Sequence, residues 1–422
     1  MTRRSERARQ PRAPDWLPIE QASEIILSRV GPLDHETVPL SDALGRVLAA
    51  DVESAVTHPA WDNSAMDGFA VLSRDVARAT PRNPVALRVV EEVAAGQFPT
   101  RSVGPGEAIR VMTGAPVPTG ADGVTRVEHT RPGPEPDTIE VLDGGDAGRN
   151  IRRRGEDLKV GARPLSAGTL IRAAEVGVLA MLGQPSVPVY RKPTVGILAT
   201  GDELADFDQL ELVHAGKRIM NSNSYALAAQ VTEAGGEPRP LGIARDNVDS
   251  LSRHLEAAAG LDALITSAGL AVGDHDYVKH VLDDLGMEFL FYRVKMRPGS
   301  PFTFGTLAGM PVFALPGNPV SAMVTFEVLV RPAIRKMVGL AQYDRPRRRV
   351  RLAEPVKTKG RLTHYYRATL ERGGAGLAAR LTGPQGSGIL TSMTEADALI
   401  VVPPDSELPE GYEVEAIVLR ER

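Results

Sequence analysis

The chain has 422 residues, 49 Lys+Arg against 53 Asp+Glu, a net charge of −4, 42% hydrophobic residues and no cysteine. Its length corresponds to about three domains at roughly 150 residues each, and the near balance of charge argues against a nucleic-acid-binding protein, which carries a basic excess. The lack of cysteine excludes disulfides, thiolate-ligated zinc, iron–sulfur clusters and a cysteine nucleophile.

Met1 to Pro14 carries Arg3, Arg4, Arg7, Arg9 and Arg12 with almost nothing apolar. Such a segment cannot bury enough surface to order itself, so a disordered arm is expected over 1–14. No apolar signal core opens the chain and no run of about 18 apolar residues occurs. The expected location is therefore the cytoplasm, with no membrane and no nucleic acid as partner. From Trp16 to Val30 the apolar residues Ile19, Ala22, Ile25, Ile26 and Val30 recur at helical spacing. A second short helix is expected over Asp42 to Ala50. Between about Asp51 and Asn150 the chain is dense in Pro and Gly with short β-rich runs, which reads as a small β domain. Helical pattern returns near Leu165 to Gln184, so the β domain is expected as an insertion (51–150) within a first domain of 15–50 and 151–190.

From Lys192 strands and helices alternate, the signature of βαβ units and a mostly parallel sheet. Strands are expected over Thr194 to Ala199, Arg239 to Ala244, Asp262 to Ser267, Phe289 to Val294, Pro301 to Phe304 and Val312 to Leu315. Helices are expected over Asn223 to Ala234, Asn247 to Ala259, Tyr277 to Leu285 and Val320 to Met337. This α/β domain spans 191–340. The run Arg345-Pro346-Arg347-Arg348-Arg349 reads as a solvated linker, and 345–422 as an all-β C-terminal domain.

The chain has no phosphate loop of the Gly-x-x-x-x-Gly-Lys-Ser/Thr type, no His-Glu-x-x-His and no Gly-x-Ser-x-Gly elbow. Its unusual residues fall instead where the α/β strands end. Gly201 and Glu203 follow one strand and Asp246 the next. Ser267, Gly269, Gly273 and Asp276 follow the third. Lys295, Arg297, Pro298 and Gly299 come after the fourth, and Pro316, Gly317, Asn318 and Pro319 after the last. Ligands of open α/β sheets bind at such carboxyl ends, and the helix opening near Pro319 offers free N–H groups to a phosphate. Glu203, Asp246 and Asp276 would repel that anion unless a cation intervenes. Mg²⁺ suits a site of few carboxylates plus phosphate, which leaves open which carboxylate binds it. Three further polar segments stand apart in the β region: Asp62 to Gly68, Met112 to Pro118 and Arg152 to Asp157.

In order, Asp-Asn-Ser-Ala-Met-Asp-Gly, Met-Thr-Gly-Ala-Pro-Val-Pro, Arg-Arg-Arg-Gly-Glu-Asp, Thr-Gly-Asp-Glu-Leu and Leu-Pro-Gly-Asn-Pro-Val-Ser make the chain similar to the MoeA family of molybdopterin molybdenumtransferases, to which the gephyrin E domain belongs. The resemblance covers the chain from about Asp15 onward. It implies a four-domain, elongated homodimer with a MoaB/MogA-like three-layer α/β domain, a small inserted β domain and a β-barrel-like C-terminal domain. It implies insertion of molybdate into adenylylated molybdopterin, with Mg²⁺ and release of AMP, and contact with other molybdenum cofactor biosynthesis proteins. The family's functional positions fall on Asp67, Thr113, Asp157, Glu203, Asp246, Asp276, Pro316 and Pro319. Two alternatives accompany this reading: a pterin-binding scaffold of weak activity, and the adenylyltransferase that makes the adenylylated pterin. Two departures are evident. Ser267-Ala268-Gly269-Leu270-Ala271-Val272-Gly273 stands where the family has Ser-Gly-Gly-Val-Ser-Val-Gly, and Arg297-Pro298-Gly299-Ser300-Pro301 where many members have Lys-Pro-Gly-Lys-Pro.

Overall fold

The computed structural model describes residues 14–268, 277–373 and 376–420, without the Tyr277 side chain. Gly269, Gly273 and Asp276, and the Arg-rich arm through residue 13, lie outside the described residues. The chain divides into two compact units: Asp51–Ala167 with Ala174–Pro185, and the described parts of Met1–Ala50, Gly168–Ala173 and Ser186–Arg422. Among the described residues no helix is long and apolar enough to cross a membrane.

The smaller unit is built on a six-stranded sheet. Its strands are β1 (Gly68–Val71), β2 (Val85–Val93), β3 (Glu107–Val111), β4 (Gly123–Arg126), β5 (Thr130–Pro132) and β6 (Thr138–Val141), in the order β4-β1-β3-β2-β6-β5. All pairs are antiparallel except β2–β3. Side chains alternate across a strand, and here both faces are covered. Phe69, Val71, Leu87 and Val141 pack on one side. Ala70, Ile109, Val111 and Val124 pack on the other. Two buried faces explain why β1 is an unbroken apolar run. Gly68 opens that strand against β4, and a Cβ there would lie 2.1 Å from the Thr125 carbonyl oxygen. Gly68→Ala is therefore expected to destabilise this unit by about 3 kcal/mol. Urea unfolding of the full chain in a Trp16→Phe background, followed by Trp61 fluorescence, checks this; an unchanged midpoint contradicts the packing.

The larger unit contains a second six-stranded sheet of β7 (Thr194–Thr200), β8 (Glu237–Ala244), β9 (Ala263–Ser267), β10 (Glu288–Phe291), β11 (Thr303–Leu307) and β12 (Met310–Leu315), ordered β8-β7-β9-β12-β11-β10. The four strands from β8 to β12 pair in parallel, and β11 and β10 extend the sheet antiparallel. On one face Ile197, Ile265 and Phe313 pack against α1 (Ile19–Ser28), α2 (Ser222–Ala234) and the helical run from Pro319 to Met337. On the other, Leu198, Leu264 and Val312 pack against α3 (Val248–Glu256) and α4 (Tyr277–Asp284). The result is a three-layer α/β arrangement. The helical run divides into α5 (Pro319–Thr325), a π turn (Phe326–Val330) and α6 (Arg331–Met337).

The C-terminal sheet is β13 (Arg347–Leu352), β14 (Thr363–Gly373), β15 (Gly376–Leu381), β16 (Ala398–Val402) and β17 (Glu413–Val418). Its order β14-β15-β13-β17-β16, with β16 pairing back to β14, closes a five-stranded barrel.

Three sequence expectations differ from the structure. Asp42 to Ala50 is no helix. Only Leu40–Asp42 forms a 3₁₀ turn; Gly45 takes φ 75°, and Val47 and Leu48 make β-bridges to Leu170 and Val189. The Arg345–Arg349 run is no solvated linker, because Arg345 is ion-paired to Glu327 and Arg347 to Glu415 at the start of β13. The segment after β10 turns away from the sheet: Met296–Arg297 pairs in parallel with Thr363–His364 of the barrel sheet.

Candidate functional site

β7 connects to β8 on one side, while β9 lies on its other side, so a crevice opens at the carboxyl ends of β7 and β9. A cavity of about 590 Å³ occupies it, lined by Glu203, the Asn221–Asn223 turn, Ser267, Ala268 and the Gly317–Pro319 turn. Two helices begin on this cavity. Asn221 caps α2, its Oδ1 accepting from Ser224 N at 3.3 Å. Asn318 is the N-cap of α5, with Pro319 at its first position. The positive dipole ends of two helices thus face one space, which favours an anion; at α5 Pro319 has no N–H and Val320 N is bonded to the Ser387 carbonyl.

Asn223 ties the cavity together. Its Nδ2 donates to Ser267 Oγ and to the Gly317 carbonyl, each at 2.7 Å, joining the end of β9 to the turn after β12. Ala268, where the resemblance has glycine, sits at φ 73°, a left-handed conformation that costs an alanine about 1 kcal/mol. Gly201 leaves β7 at φ 141°, with the Glu203 carboxylate folded back over it. Arg245 holds this turn, donating to the Gly201 and Leu204 carbonyls at 3.3 and 3.1 Å. Asp246 is exposed on the adjacent turn, and Pro316 is buried beneath the Gly317 turn. Glu203 and Asp246 have no ionic partner among the described residues, and no group of three His, Asp or Glu there forms a metal cluster. Glu203 alone of the three expected carboxylates lines the described cavity, and Asp246 is outside that lining; one carboxylate with phosphate and water is chemistry that suits Mg²⁺.

Lys295, Arg297, Pro298 and Gly299 are absent from the described cavity lining. Lys295 and Arg297 are exposed on the crossing to the barrel. Gly299 (φ 107°) lies so close to α5 that a Cβ would meet Thr325 Oγ1 at 2.1 Å. Arg297 also adds to the effect of burial in lowering the pKa of His364 below the usual imidazole value.

Arg367, in β14, escaped the sequence reading. It is fully buried. Nε donates to Ser392 Oγ and Nη2 to the Gly386 carbonyl, each at 3.0 Å, while Nη1 has no partner. Burial lowers its pKa, and no carboxylate offsets that. The same turn touches the cavity: Gly388 lines it, and Ser387 accepts from Val320 N at the start of α5. A fixed positive charge therefore stands behind one cavity wall. Neither Arg367 nor Asn223 is marked by its neighbours in sequence; the surplus of Asn and Ser at the start of α2 is the one available signal.

In the smaller unit the three polar segments meet directly. Asp67 accepts from Thr113 N and Oγ1, each at 2.7 Å. These bonds hold its carboxyl below the usual carboxylate range. Asp62 accepts from Arg154 N at 2.8 Å and Arg153 Nη1 at 2.7 Å and is lowered likewise. The Asp62–Gly68 segment is thus clipped to both others. Asp157 is exposed; its N–H donates to the His58 carbonyl at 3.2 Å.

The fold defines an α/β protein with a cavity at its strand ends and a C-terminal barrel. Family models match in order: the MoeA N-terminal region (domains I and II) over residues 17–183, a probable molybdopterin binding domain over 196–336, and the MoeA C-terminal region (domain IV) over 349–419. A molybdopterin molybdenumtransferase of Nostoc sp. is 38% identical over 395 residues, 91% of this chain and 89% of its own. One from Bacillus subtilis is 36% identical over 418 residues, 96% and 94% of the two chains. The crystal structure of the molybdopterin biosynthesis moeA protein from Pyrococcus horikoshii OT3 superposes with a TM-score of 0.83 at 33% identity, covering 96% of this chain and 100% of that one. The chain belongs to the MoeA family.

Proposed function

We propose that the protein is a molybdopterin molybdenumtransferase of molybdenum cofactor biosynthesis, inserting molybdate into adenylylated molybdopterin and releasing AMP. The observation that carries this reading is the pair of helix N-termini converging on the cavity beside Glu203. The ligand's phosphates lie against the backbone N–H groups of Ser222 and Asn223 and of Asn318, since Pro319 has no N–H and Val320 N is taken by the Ser387 carbonyl. Asn223 keeps the Ser267 and Gly317 walls at the spacing the phosphates need. Glu203, with Asp246 or Asp276 as the further carboxylate, would hold Mg²⁺, which would supply charge neutralisation. Glu203 orients the water whose oxygen attacks phosphorus. One P–O bond of the anhydride breaks, AMP departs, and the pterin phosphate remains. Backbone donors at the helix ends stabilise the charge that develops on the phosphates. Arg367 biases the wall toward an oxyanion, consistent with molybdate as second substrate. The ligand's own dithiolene provides the sulfur that a chain without cysteine lacks. In the same reading the chain works as a homodimer in the cytoplasm, and Asp67, Thr113 and Asp157 belong to its working surface.

Incubation with adenylylated molybdopterin, molybdate and Mg²⁺ is expected to release AMP in proportion to molybdate added. Binding of the pterin without AMP release would overturn the assignment. Asn223→Ala removes the donor shared by Ser267 and Gly317. It is expected to weaken binding of adenylylated molybdopterin about tenfold, the equivalent of one lost hydrogen bond, with unchanged thermal unfolding. Unaltered affinity would count against the cavity as the phosphate site.

A further inference from the structure

The barrel has a second opening that the reaction above does not use. At one end lie the N-termini of β13, β15 and β16 and the C-termini of β14 and β17. This mouth holds a cavity of about 670 Å³. Leu370, Leu377 and Val418 give it apolar walls, and Arg348, Arg349, Arg372 and Arg420 surround them with positive charge. The sole carboxylate of the lining is Asp397, which is buried and already engaged: it accepts from Leu370 N and Arg420 Nε, each at 2.9 Å. Arg349 and Arg372 are exposed and have no carboxylate partner among the described residues.

Barrel mouths are common small-molecule sites, and this volume is in the usual range for one. Guanidinium groups recognise phosphate through paired N–H donors. Arg349 and Arg372 each offer such a fork, which is more than a single phosphate needs, while Arg420 is held by Asp397 and the Glu395 carbonyl; the apolar walls suit a ring system. We propose that the barrel mouth binds a small molecule bearing two or more phosphates and a planar ring, of the nucleoside diphosphate class, at a site separate from the α/β cavity.

Calorimetric titration of the full chain with ADP tests this. The Arg349→Gln/Arg372→Gln variant is expected to lose at least about tenfold in affinity, and Asn223→Ala to retain this site. Inorganic pyrophosphate is expected to compete with ADP there. Arg349→Lys/Arg372→Lys, which keeps both charges, is expected to retain more affinity than the glutamine pair and guards against a folding defect. Molybdate-dependent AMP release is expected to be unchanged in both double variants, so failure here and failure of the proposed activity give different patterns. Parental ADP binding by the glutamine pair would overturn the proposal. So would binding of polyglutamate but not ADP at these arginines, which would assign the mouth to an acidic protein partner.

Discussion

Arg367→Met is expected to leave thermal unfolding close to that of the parent while lowering molybdate-dependent AMP release about a hundredfold, a loss of about 2.7 kcal/mol. The two expectations diverge for one reason. A buried charge without a counter-ion is a burden on folding, and its replacement by an apolar side chain of similar size is often neutral or stabilising. Arg367 is such a charge: fully buried, without a carboxylate, and with Nη1 unpartnered. Ser392 Oγ and the Gly386 carbonyl each lose one donor, but the first keeps its bond to the Ile389 carbonyl and the second its bond from Ile389 N. If the charge serves an oxyanion, activity falls while stability holds. A large drop in stability with full specific activity of the folded fraction would mean that the arginine is structural.

Glu327→Ala is expected to destabilise the larger unit by about 3–5 kcal/mol, because removing one member of a buried ionic group strands the others. Glu327 is buried in the π turn. Its Oε1 accepts from Gln230 Nε2 at 2.8 Å, and its Oε2 from Arg345 Nε at 2.5 Å, with Arg331 Nε at 3.7 Å. Burial and the nearby Arg345 already push the Arg331 guanidinium down to about 10. Without Glu327, Arg331 and Arg345 repel each other with only the mostly exposed Glu233, 3.8 Å from Arg345, left to offset them. Arg345 also donates to the Leu419 carbonyl at 2.8 Å, so the defect reaches the strand end beyond β17. Urea unfolding of the full chain gives the number; a shift below about 1 kcal/mol, the scale of exposed pairs, would show that the group is solvated.

The α/β alternation was legible because β7, β9 and β12 are apolar on both faces and their ends are marked by Gly, Pro and Asn. Those same turn residues located Glu203, Ser267 and the Gly317–Pro319 turn. What the sequence concealed depends on distant partners. A lone arginine in an alternating strand looks like a solvent-facing residue, and only the Gln385–Ser392 segment folded over it makes Arg367 internal. The Arg345–Arg349 run looked like a linker because Glu327 and Glu415, which bind it, are 18 and 68 positions away from their partners. Lys295 to Gly299 follow a sheet strand in sequence, yet their neighbours are Thr363 and His364. Spacing along the chain carries no mark of that pairing.

The π turn at Phe326–Val330 has a consequence for how this helical run tolerates change. An α-helix turns about 100° per residue, and a π turn holds one residue more than an α turn. Deleting a single residue there would restore ordinary winding with little rotation downstream, because the π turn already fits one extra residue into about one turn, whereas a deletion inside α5 or α6 would swing everything beyond it by about 100° and carry Ile334 out of the core. The turn therefore absorbs one residue of length while keeping the ligand-facing half and the anchoring half in register. A one-residue deletion between Phe326 and Val330 is thus expected to be tolerated better than one in α5 or α6, where nothing absorbs the lost rotation.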